Sequence, residues 1–392
     1  MFIMNKIFNL DTNASLAILP EVIEVVKSFS FNCSNPSSIH SLGQNSKALI
    51  ELSRTNIKKF LNCNNARIVF TSGATEANNQ VVSSFFFNSN NNSNFVTSNA
   101  EHLSILNPFL QIQKKSADIR VIDVDSSGYI NISKLLNSID ENTKLVSLIL
   151  ANNEIGTINN IQSIVELIKS KNKNCLVHTD AVQAIGKLKV DFDDLGIDLM
   201  TISGHKFGAL TGIGALIIKK GVTLNPFLLG GSQEHNLRAG TENIIGIVSI
   251  GEAAKVLHNR LEKRINSLIK IRESFISKMN QLKIDCSFNV NYKQVNHLPN
   301  TISVKFKGVK AADLLVALDL EGIYVSAGSA CSSGKPIVSH VLSAIGLTNK
   351  EANETIRISF NDDLSTDDID YILEKFNKLL IQIKEENEYR ES

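Results

Sequence analysis

Residues 176–206 read LVHTDAVQAIGKLKVDFDDLGIDLMTISGHK, and this stretch decides the fold. It contains two apolar runs suited to β-strands, 176–178 and 199–203, and polar residues follow each run. The same alternation of strand-like runs and amphipathic helical stretches extends over residues 60–220, with further strands predicted at 68–71, 95–98, 145–151 and 212–218. Strands that alternate with helices predict an α/β fold, in which a mostly parallel sheet has helices on both faces.

A long helix and a smaller α+β unit are predicted after this sheet. Apolar residues at helical spacing continue from about residue 251 to 282, far enough to connect two domains. Beyond this helix we predict a strand at 301–306, a helix at 311–320, a strand at 356–360 and a closing amphipathic helix at 367–384. The length of the chain allows one large or two medium domains.

Composition argues against several classes of protein. The 392 residues include 40 Lys and Arg against 39 Asp and Glu, for a net charge of +1, so direct binding to nucleic acid through bulk charge is not expected. Apolar runs such as 244–250 are much shorter than the roughly 18–20 residues of a membrane-spanning helix. The first ten residues lack the features of a cleavable signal, which predicts a cytoplasmic protein without membrane attachment.

The five cysteines are scattered along the chain, at positions 33, 63, 175, 286 and 331. No two of them have C-x-x-C spacing, so neither a disulfide framework nor an intrinsic metal site is expected. Cys331 differs from the others because it lies in a stretch of small residues, 325–334 (VSAGSACSSG), without apolar bulk. Such a composition favours an accessible loop with a reactive thiol, whereas the other four cysteines fit structural positions.

Polar clusters follow most of the strands predicted in the first half of the chain. They are 71–75 (TSGAT), 99–102 (NAEH), 152–154 (NNE), 178–183 (HTDAVQ) and 203–206 (SGHK). Ligands of open parallel sheets bind at the carboxyl ends of the strands. We therefore expect these five clusters to form one site.

Three residues of these clusters suit chemistry on a ring-shaped cofactor. Lys206 follows a buried strand, where a desolvated amine can form a Schiff base or move protons, although a lone lysine more often lies on the surface. Asp180 could pair with a pyridinium nitrogen, and Gln183 could bond a ring hydroxyl. A helix N-cap is the alternative for Asp180.

A phosphate site is predicted where a strand turns into a helix at residues 71–76. Gly73 allows close backbone approach there, and the N-terminus of a helix attracts an anion. Ser203 and His205 could add donors, but helix capping explains the turn equally well. His102 is either a ring partner or acid–base group of the site, or a satisfied core histidine.

Two arginines are candidates for binding a substrate carboxylate. Arg357 lies in a predicted strand, and Arg238 lies in the segment 236–241. A guanidinium group binds a carboxylate through two parallel hydrogen bonds. Ordinary salt bridges are the alternative for both residues.

In this order and spacing the clusters resemble the cysteine desulfurases, pyridoxal-phosphate enzymes of the class V aminotransferase group. The resemblance extends from residue 10 to about 360. Its motifs are 35–40 (NPSSIH), 70–79 (FTSGATEANN), 101–102 (EH), 152–156 (NNEIG), 178–186, 203–206, 238–242 (RAGTE) and 326–334 (SAGSACSSG). Each motif alone is weak, but eight motifs in register make the likeness specific.

The resemblance implies a fold-type I pyridoxal-phosphate transferase. We expect a large cofactor-binding domain at residues 16–258, with a mostly parallel seven-stranded sheet flanked by helices. A smaller α+β domain at 259–392 would contain the Cys331 loop, and the segment 1–15 would pack with that domain. The extended small-residue stretch around Cys331 resembles the first group of the family.

The resemblance also implies roles for individual residues. Lys206, Cys331 and His102 would be catalytic: Lys206 would bind the cofactor as a Schiff base, His102 would stack on the ring, and Cys331 would take the sulfur as a persulfide. Asn153 and Arg357 would hold the carboxylate of L-cysteine, with Asn153 also at the cofactor. The remaining cofactor contacts would be Asp180, Gln183, Ala74, Thr75, Ser203, His205 and Thr241.

The implied partners follow from the same likeness. Thr241 would reach the phosphate of a neighbouring subunit, which makes the protein a homodimer. Sulfur would pass to an iron–sulfur scaffold protein, to sulfur-carrier or tRNA-thiolation proteins, or to both kinds. Cys331 is also a candidate ligand for an iron–sulfur cluster held on such a scaffold.

Two alternatives remain open from the sequence. Selenocysteine lyase or aminotransferase activity would use the same cofactor site, with the Cys331 thiol as the discriminating feature. A non-catalytic sulfur-assembly scaffold is the other alternative. It is suggested by residues 207–212 (FGALTG), which lack the Pro and Lys of the Gly-Pro-Lys-Gly that commonly follows the family's lysine. The presence of Lys206, Asp180, His102 and Cys331 favours an active enzyme.

Overall fold

The computed structural model describes residues 6–29, 34–88, 90, 92–328 and 338–391. The strands are β1 (Phe8–Asn9), β2 (Arg67–Thr71), β3 (Asn94–Ser98), β4 (Asp118–Ile122), β5 (Thr143–Ile149), β6 (Leu176–Asp180), β7 (Leu199–Ser203), β8 (Gly214–Ile218), β9 (Ser287–Phe288), β10 (Thr301–Lys305), β11 (Ile323–Tyr324), β12 (Ser326–Ala327) and β13 (Thr355–Ser359). The helices are α1 (Pro20–Phe29), α2 (Ser41–Leu61), α3 (Ala74–Phe87), α4 (Leu103–Gln113), α5 (Ile132–Asn137), α6 (Ile161–Lys171), α7 (Gln233–Asn236), α8 (Ile244–Gln281), α9 (Ala311–Leu320), α10 (His340–Ala344), α11 (Asn349–Asn353) and α12 (Thr366–Glu391).

The central sheet has seven strands in the order β2-β8-β7-β6-β5-β3-β4. Only β8 among them is antiparallel to its neighbours. The other six strands therefore end at the same edge. The expected α/β fold with a mostly parallel seven-stranded sheet is confirmed.

Sequence reasoning missed strand β4 (Asp118–Ile122). This strand lies at the edge of the sheet and pairs only with β3 among the described strands. Its side chains are partly exposed, with Val121 39% accessible. An edge strand needs no continuous apolar run, so DIRVI has neither the strong alternation nor the bulk that identified the other strands.

Helices cover both faces of this sheet because side chains alternate along each strand. In β8, Ala215 and Ile217 point into one core, which α2, α6 and the first part of α8 complete. Leu216 and Ile218 point into the opposite core, where α3 and α4 pack. Burial on both faces explains why the central strands are apolar throughout.

A second, antiparallel sheet in the order β12-β13-β10-β9 packs with α9 and α12. Helix α8 spans both units: Leu257 belongs to the core of the large sheet, while Leu268 and Phe275 belong to the second core. The boundary predicted at 258/259 falls inside this continuous helix. The three-part division of the chain stays a prediction.

The N-terminal segment crosses from the second unit to the large sheet. Phe8 and Leu10 lie in the second core, and the Thr12 amide donates to the Ser359 carbonyl at 3.1 Å. Four residues later, the Leu16 amide donates to the carbonyl of His205 at the end of the large sheet. This crossing places the main chain of Asn13 and Ala14 against the carboxyl ends of the strands.

Every helix within the described part of the chain is too short or too polar to cross a bilayer.

A buried ion pair ties α2 to the segment before α8. The Arg54 guanidinium makes two hydrogen bonds of 3.0 Å with the Glu234 carboxylate. Glu234 also accepts from the Phe70 amide at 2.8 Å, so it reaches the end of β2 as well. Glu234 and His235 adopt left-handed backbone conformations, with φ of 43° and 60°, that L-residues hold only when neighbouring contacts impose them.

We expect Arg54→Met to lower the free energy of unfolding by about 3–5 kcal/mol, because it leaves the Glu234 carboxylate buried without its cation. The measurement is denaturant unfolding at fixed protein concentration. Lys255→Met is the matched control: it removes the exposed Lys255–Glu252 pair and should change the free energy by no more than about 0.5 kcal/mol. Equal losses in the two variants would contradict the proposed importance of the buried pair.

Candidate active site

One cavity of about 310 Å³ opens at the carboxyl edge of the large sheet. Its walls include six of the residues predicted for the site: His102, Asn153, Asp180, Gln183, Lys206 and Arg357. These residues come from β6, from the segments that follow β3, β5, β6 and β7, and from β13 of the second sheet. The predicted convergence of the polar clusters is therefore present.

Lys206 ends a short 3₁₀ turn, Gly204–Lys206, directly after β7. Its Nζ donates to the main-chain carbonyls of Asn13 at 2.8 Å and Ala14 at 2.7 Å. Burial lowers the pKa of Lys206 to about 8, and the positive charge of Arg357 acts in the same direction. About one tenth of this amine is therefore neutral and nucleophilic at pH 7, far more than for an ordinary lysine.

Asp180 is the last residue of β6 and is buried. One carboxylate oxygen accepts from the Val182 amide at 3.0 Å, and the other accepts from Asn78 Nδ2 at 2.9 Å. Asn78 Oδ1 is buried without a hydrogen-bond partner in the described structure. The first bond closes a turn and is not the helix N-cap of the alternative interpretation, because the described chain has no helix between β6 and β7, and Asp180 lines the cavity.

His102 caps helix α4 and faces the cavity. Its Nδ1 accepts from the Ser104 amide at 3.1 Å, which requires this nitrogen to be unprotonated. Desolvation lowers the pKa of His102, while the charge of Asp180 opposes that shift. His102 is thus a neutral imidazole at the wall of the site and not a core histidine.

The four predicted phosphate contacts lie close together at one end of the sheet. Gly214 of β8 pairs with Thr71 on one side and Ser203 on the other, which brings the start of α3 beside Ser203. Ala74 and Thr75 open that helix, and Ser203 Oγ lies 3.1 Å from His205 Nδ1. An added Cβ at Gly73 would meet no atom within 4 Å, so open space lies in front of the helix N-terminus.

The two arginine candidates differ in their contacts. Arg357 bonds Asp11 at 2.6 Å and the Asn153 carbonyl at 3.1 Å, and its buried Nε has no partner in the described structure. Arg238 instead pairs with Glu76 at 3.0 Å, outside this cavity. Both arginines therefore make the salt bridge of the alternative interpretation, and they differ because only Arg357 lines the cavity.

The other predicted residues within the described chain do not line this cavity: the phosphate contacts Ala74, Thr75, Ser203 and His205 are absent from its walls, as is Thr241. Thr241 lines a separate cavity of about 240 Å³ together with Arg238 and Ser72. Cys331 lies outside the described residues, but its described neighbours in sequence, Gly328 and His340, both line the site.

Comparison with known proteins identifies the family. The aminotransferase class-V model matches residues 8–372. Cysteine desulfurase IscS of Dictyoglomus turgidum is 37% identical over 390 residues, which cover 99% of this chain and 98% of that protein. This chain belongs to the cysteine desulfurases of the class V aminotransferase family.

Solved structures similar to this chain superpose over most of it. A NifS-like protein matches with a TM-score of 0.90 at 31% identity and covers 96% of this chain and 100% of that one. A structure of SspA in complex with cysteine matches with a TM-score of 0.79 at 30% identity and covers 91% of this chain and 99% of that one.

The cysteine desulfurases depend on pyridoxal 5′-phosphate, and the residues of this chain fit that cofactor. The cavity offers an amine of lowered pKa in Lys206 and a buried carboxylate in Asp180 for a pyridine nitrogen. The open space at Gly73 lies at a helix N-terminus, where a phosphate binds. The described residues contain no His, Cys, Asp or Glu cluster able to hold a metal ion.

Sequence reasoning missed four residues that line or support the site. Glu101 Oε1 accepts from Ser98 and from the Ile149 amide, and so joins the ends of β3 and β5. Burial raises the pKa of Glu101 to about 8, so this carboxyl is mostly protonated at pH 7. The others are Asn13, Glu154 and Lys187. Glu101 and Glu154 lie inside motifs that carried the resemblance, but only tertiary contacts reveal what they do.

We expect the apoprotein to capture pyridoxal 5′-phosphate faster as the pH rises, with a midpoint near 8, because only the neutral Lys206 amine attacks the aldehyde. Stopped-flow absorbance over roughly pH 6–10 gives the midpoint. In Arg357→Met the midpoint should move to higher pH, because a cation that disfavours the charged amine is removed. A wild-type midpoint near that of an ordinary lysine, about 10.4, would contradict the assignment.

Proposed function

We propose that this protein removes sulfur from L-cysteine, releases L-alanine and retains the sulfur as a persulfide on Cys331. The observation that supports this most directly is the single cavity in which Lys206, Asp180 and His102 meet Arg357, with Gly328 at its wall. The full-length similarity to cysteine desulfurases supports the same reaction. The alternatives, another activity on this cofactor or a non-catalytic scaffold, are not favoured by these relatives.

Binding of the cofactor is assigned to three residues that line the cavity and to four at the neighbouring strand ends. When bound, pyridoxal phosphate supplies an electron sink that stabilises negative charge on the substrate carbon. Asp180 would pair with the ring nitrogen, Gln183 with the ring oxygen, and His102 would stack on the ring. The phosphate would be held by Ala74, Thr75, Ser203 and His205.

Arg357 and Asn153 are the proposed holders of the substrate carboxylate. The buried Nε of Arg357 has no partner in the described structure, and its Nη1 donates to the Asn153 carbonyl. The two residues therefore lie at the same wall of the cavity. The amine of Lys206 then moves protons at the substrate carbon, since a pKa of about 8 lets Nζ both accept and release a proton near neutral pH.

Sulfur transfer is assigned to the Cys331 thiolate. Its sulfur attacks the substrate sulfur, so that an S–S bond forms while the C–S bond breaks and leaves its electron pair on carbon. A proton from Lys206 completes L-alanine. Gly328 stands three positions before Cys331, and three residues of chain span no more than about 11 Å.

The described cysteines suit this reaction poorly. Burial raises the pKa of Cys63 and Cys175 to about 12 each, and that of Cys286 to about 11. Very little thiolate is present in these side chains at neutral pH. Cys33, like Cys331, lies outside the described residues and is the natural control for chemical tests.

Assembly into a homodimer and transfer of sulfur to an acceptor protein complete the proposal. Apolar side chains lie exposed beside a second cavity, among them Phe87 at 71% and Leu103 at 44% accessibility. Such a patch is typical of a protein interface. Thr241 would then reach the partner subunit's phosphate site.

The proposed acceptors of the sulfur are an iron–sulfur scaffold protein and sulfur-carrier or tRNA-thiolation proteins. A cytoplasmic location of the protein stays a prediction.

We expect Cys331→Ala to lower persulfide formation from L-cysteine by more than about 100-fold, because the acceptor of the sulfur is removed. Labelled sulfur on the protein and released alanine are measured together. Cys33→Ala should react like the wild type. Persulfide formed at the wild-type rate in Cys331→Ala would disprove the assigned acceptor, and normal turnover in Lys206→Ala would disprove the proposed reaction.

We expect Arg357→Met to raise KM for L-cysteine by about 10–100-fold, because a charge-assisted pair with the substrate carboxylate is lost. Steady-state alanine release gives KM, and cofactor absorbance confirms that the variant is loaded. Arg238→Met is the matched control, since its partner Glu76 lies outside this cavity. An unchanged KM in Arg357→Met would place the carboxylate elsewhere.

A further inference from the structure

Lys187 is a buried lysine that the proposed reaction does not use. It is only 2% accessible. Its Nζ donates to Asn13 Oδ1 at 2.9 Å and to Gln183 Oε1 at 2.5 Å. Burial lowers the pKa of Lys187 well below its ordinary value, and the charges of Lys206, Arg264 and Arg357 act in the same direction. Neither of its acceptors is a carboxylate, so its position is not explained by an ion pair.

The hydrogen bonds of Lys187 match a neutral amine. A neutral amine carries two N–H groups, and the two amide oxygens of Asn13 and Gln183 accept both. A third proton would be buried beside three cations. Lys187 therefore acts here as a hydrogen-bond donor and not as a charge.

The contact with Lys187 determines how the Gln183 amide is oriented. Because Oε1 of Gln183 points at Nζ of Lys187, its Nε2 points the other way and donates to the Asn13 carbonyl at 2.9 Å. That carbonyl also accepts from Lys206 at 2.8 Å. A rotated amide would turn Oε1 toward the Asn13 carbonyl, so that two acceptors faced each other, and it would take from Lys187 one of its two acceptors. The N–H side of Gln183 is therefore held beside Lys206.

We propose that Lys187 is a positioning residue that fixes Gln183 as a hydrogen-bond donor toward the ring oxygen of the cofactor. The proposal rests on the proposed function, which assigns that oxygen to Gln183. A donor stabilises negative charge on the ring oxygen, and an acceptor in the same place would destabilise it. Lys187 thus determines that Gln183 donates to the ring oxygen, although Lys187 does not contact that oxygen itself.

The test is a pH titration of the visible absorption of the bound cofactor in Lys187→Met. Loss of the donor makes the ring oxygen a stronger base, so the midpoint should rise by about one pH unit, and the Kd for pyridoxal 5′-phosphate should weaken about tenfold. Lys189→Met removes an exposed lysine two positions away and should match the wild type in both measurements.

A double-mutant cycle separates positioning from general loss of structure. Gln183→Met alone should raise the midpoint as Lys187→Met does, and the double variant should shift no further, because both act on one contact. Additive shifts would overturn the proposal. Lys187→Gln, which keeps an N–H donor without the charge, should retain the wild-type midpoint, and it carries the test if Lys187→Met does not fold.

The outcomes distinguish this inference from the proposed function. A wild-type protein that binds no pyridoxal 5′-phosphate overturns both. A wild-type protein that binds it, with Lys187→Met titrating at the wild-type midpoint, overturns only the role of Lys187. A full shift in Lys187→Gln has the same consequence, because it would make the charge and not the donor responsible.

Discussion

The site depends on one stretch of main chain, Asn13 and Ala14, that lies across the ends of the parallel strands. The Asn13 carbonyl accepts hydrogen bonds from both Lys206 and Gln183, which are contributed by two different strand ends. The second sheet holds this stretch in place, through the pair between Arg357 and Asp11 and the bond from the Thr12 amide to Ser359. The packing of the two sheets therefore determines where the reactive amine lies.

This arrangement gathers several cations in a poorly hydrated space. Burial is the main cause of the lowered pKa values of Lys206 and Lys187, and the charge of Arg357 acts in the same direction on both. Lys206 and Arg357 line the cavity together with the carboxylates of Asp180 and Glu154, and these two basic side chains are the available partners for a phosphate or an amino-acid carboxylate. Glu101, protonated by burial beside Asp180, adds little negative charge to oppose them.

The sequence predicted site residues best where a polar or charged side chain lies at the end of a buried strand. Lys206, Asp180 and Gln183 were predicted because the parallel sheet brings strand ends together, and the described structure has them in one cavity. Strand β4 was missed because an exposed edge strand lacks an apolar signature. Lys187 was missed for a different reason. No local sequence pattern marks a buried lysine that donates to amide oxygens, and only its contacts in the folded structure distinguish it from a solvated lysine.

The same strand ends also hold the chain on both sides of Cys331. Ser339 Oγ donates to Glu154 Oε2 at 2.5 Å, and His340 Nε2 lies 2.8 Å from the Glu101 carbonyl. On the other side, a Cβ added to Gly328 would lie 2.8 Å from the Glu154 carboxylate, so a larger residue there would displace it. Glu154 thus contacts both described flanks of the Cys331 segment. Because Glu154 follows Asn153 directly, the contacts proposed for the substrate carboxylate and those beside the proposed sulfur acceptor share one short loop after β5.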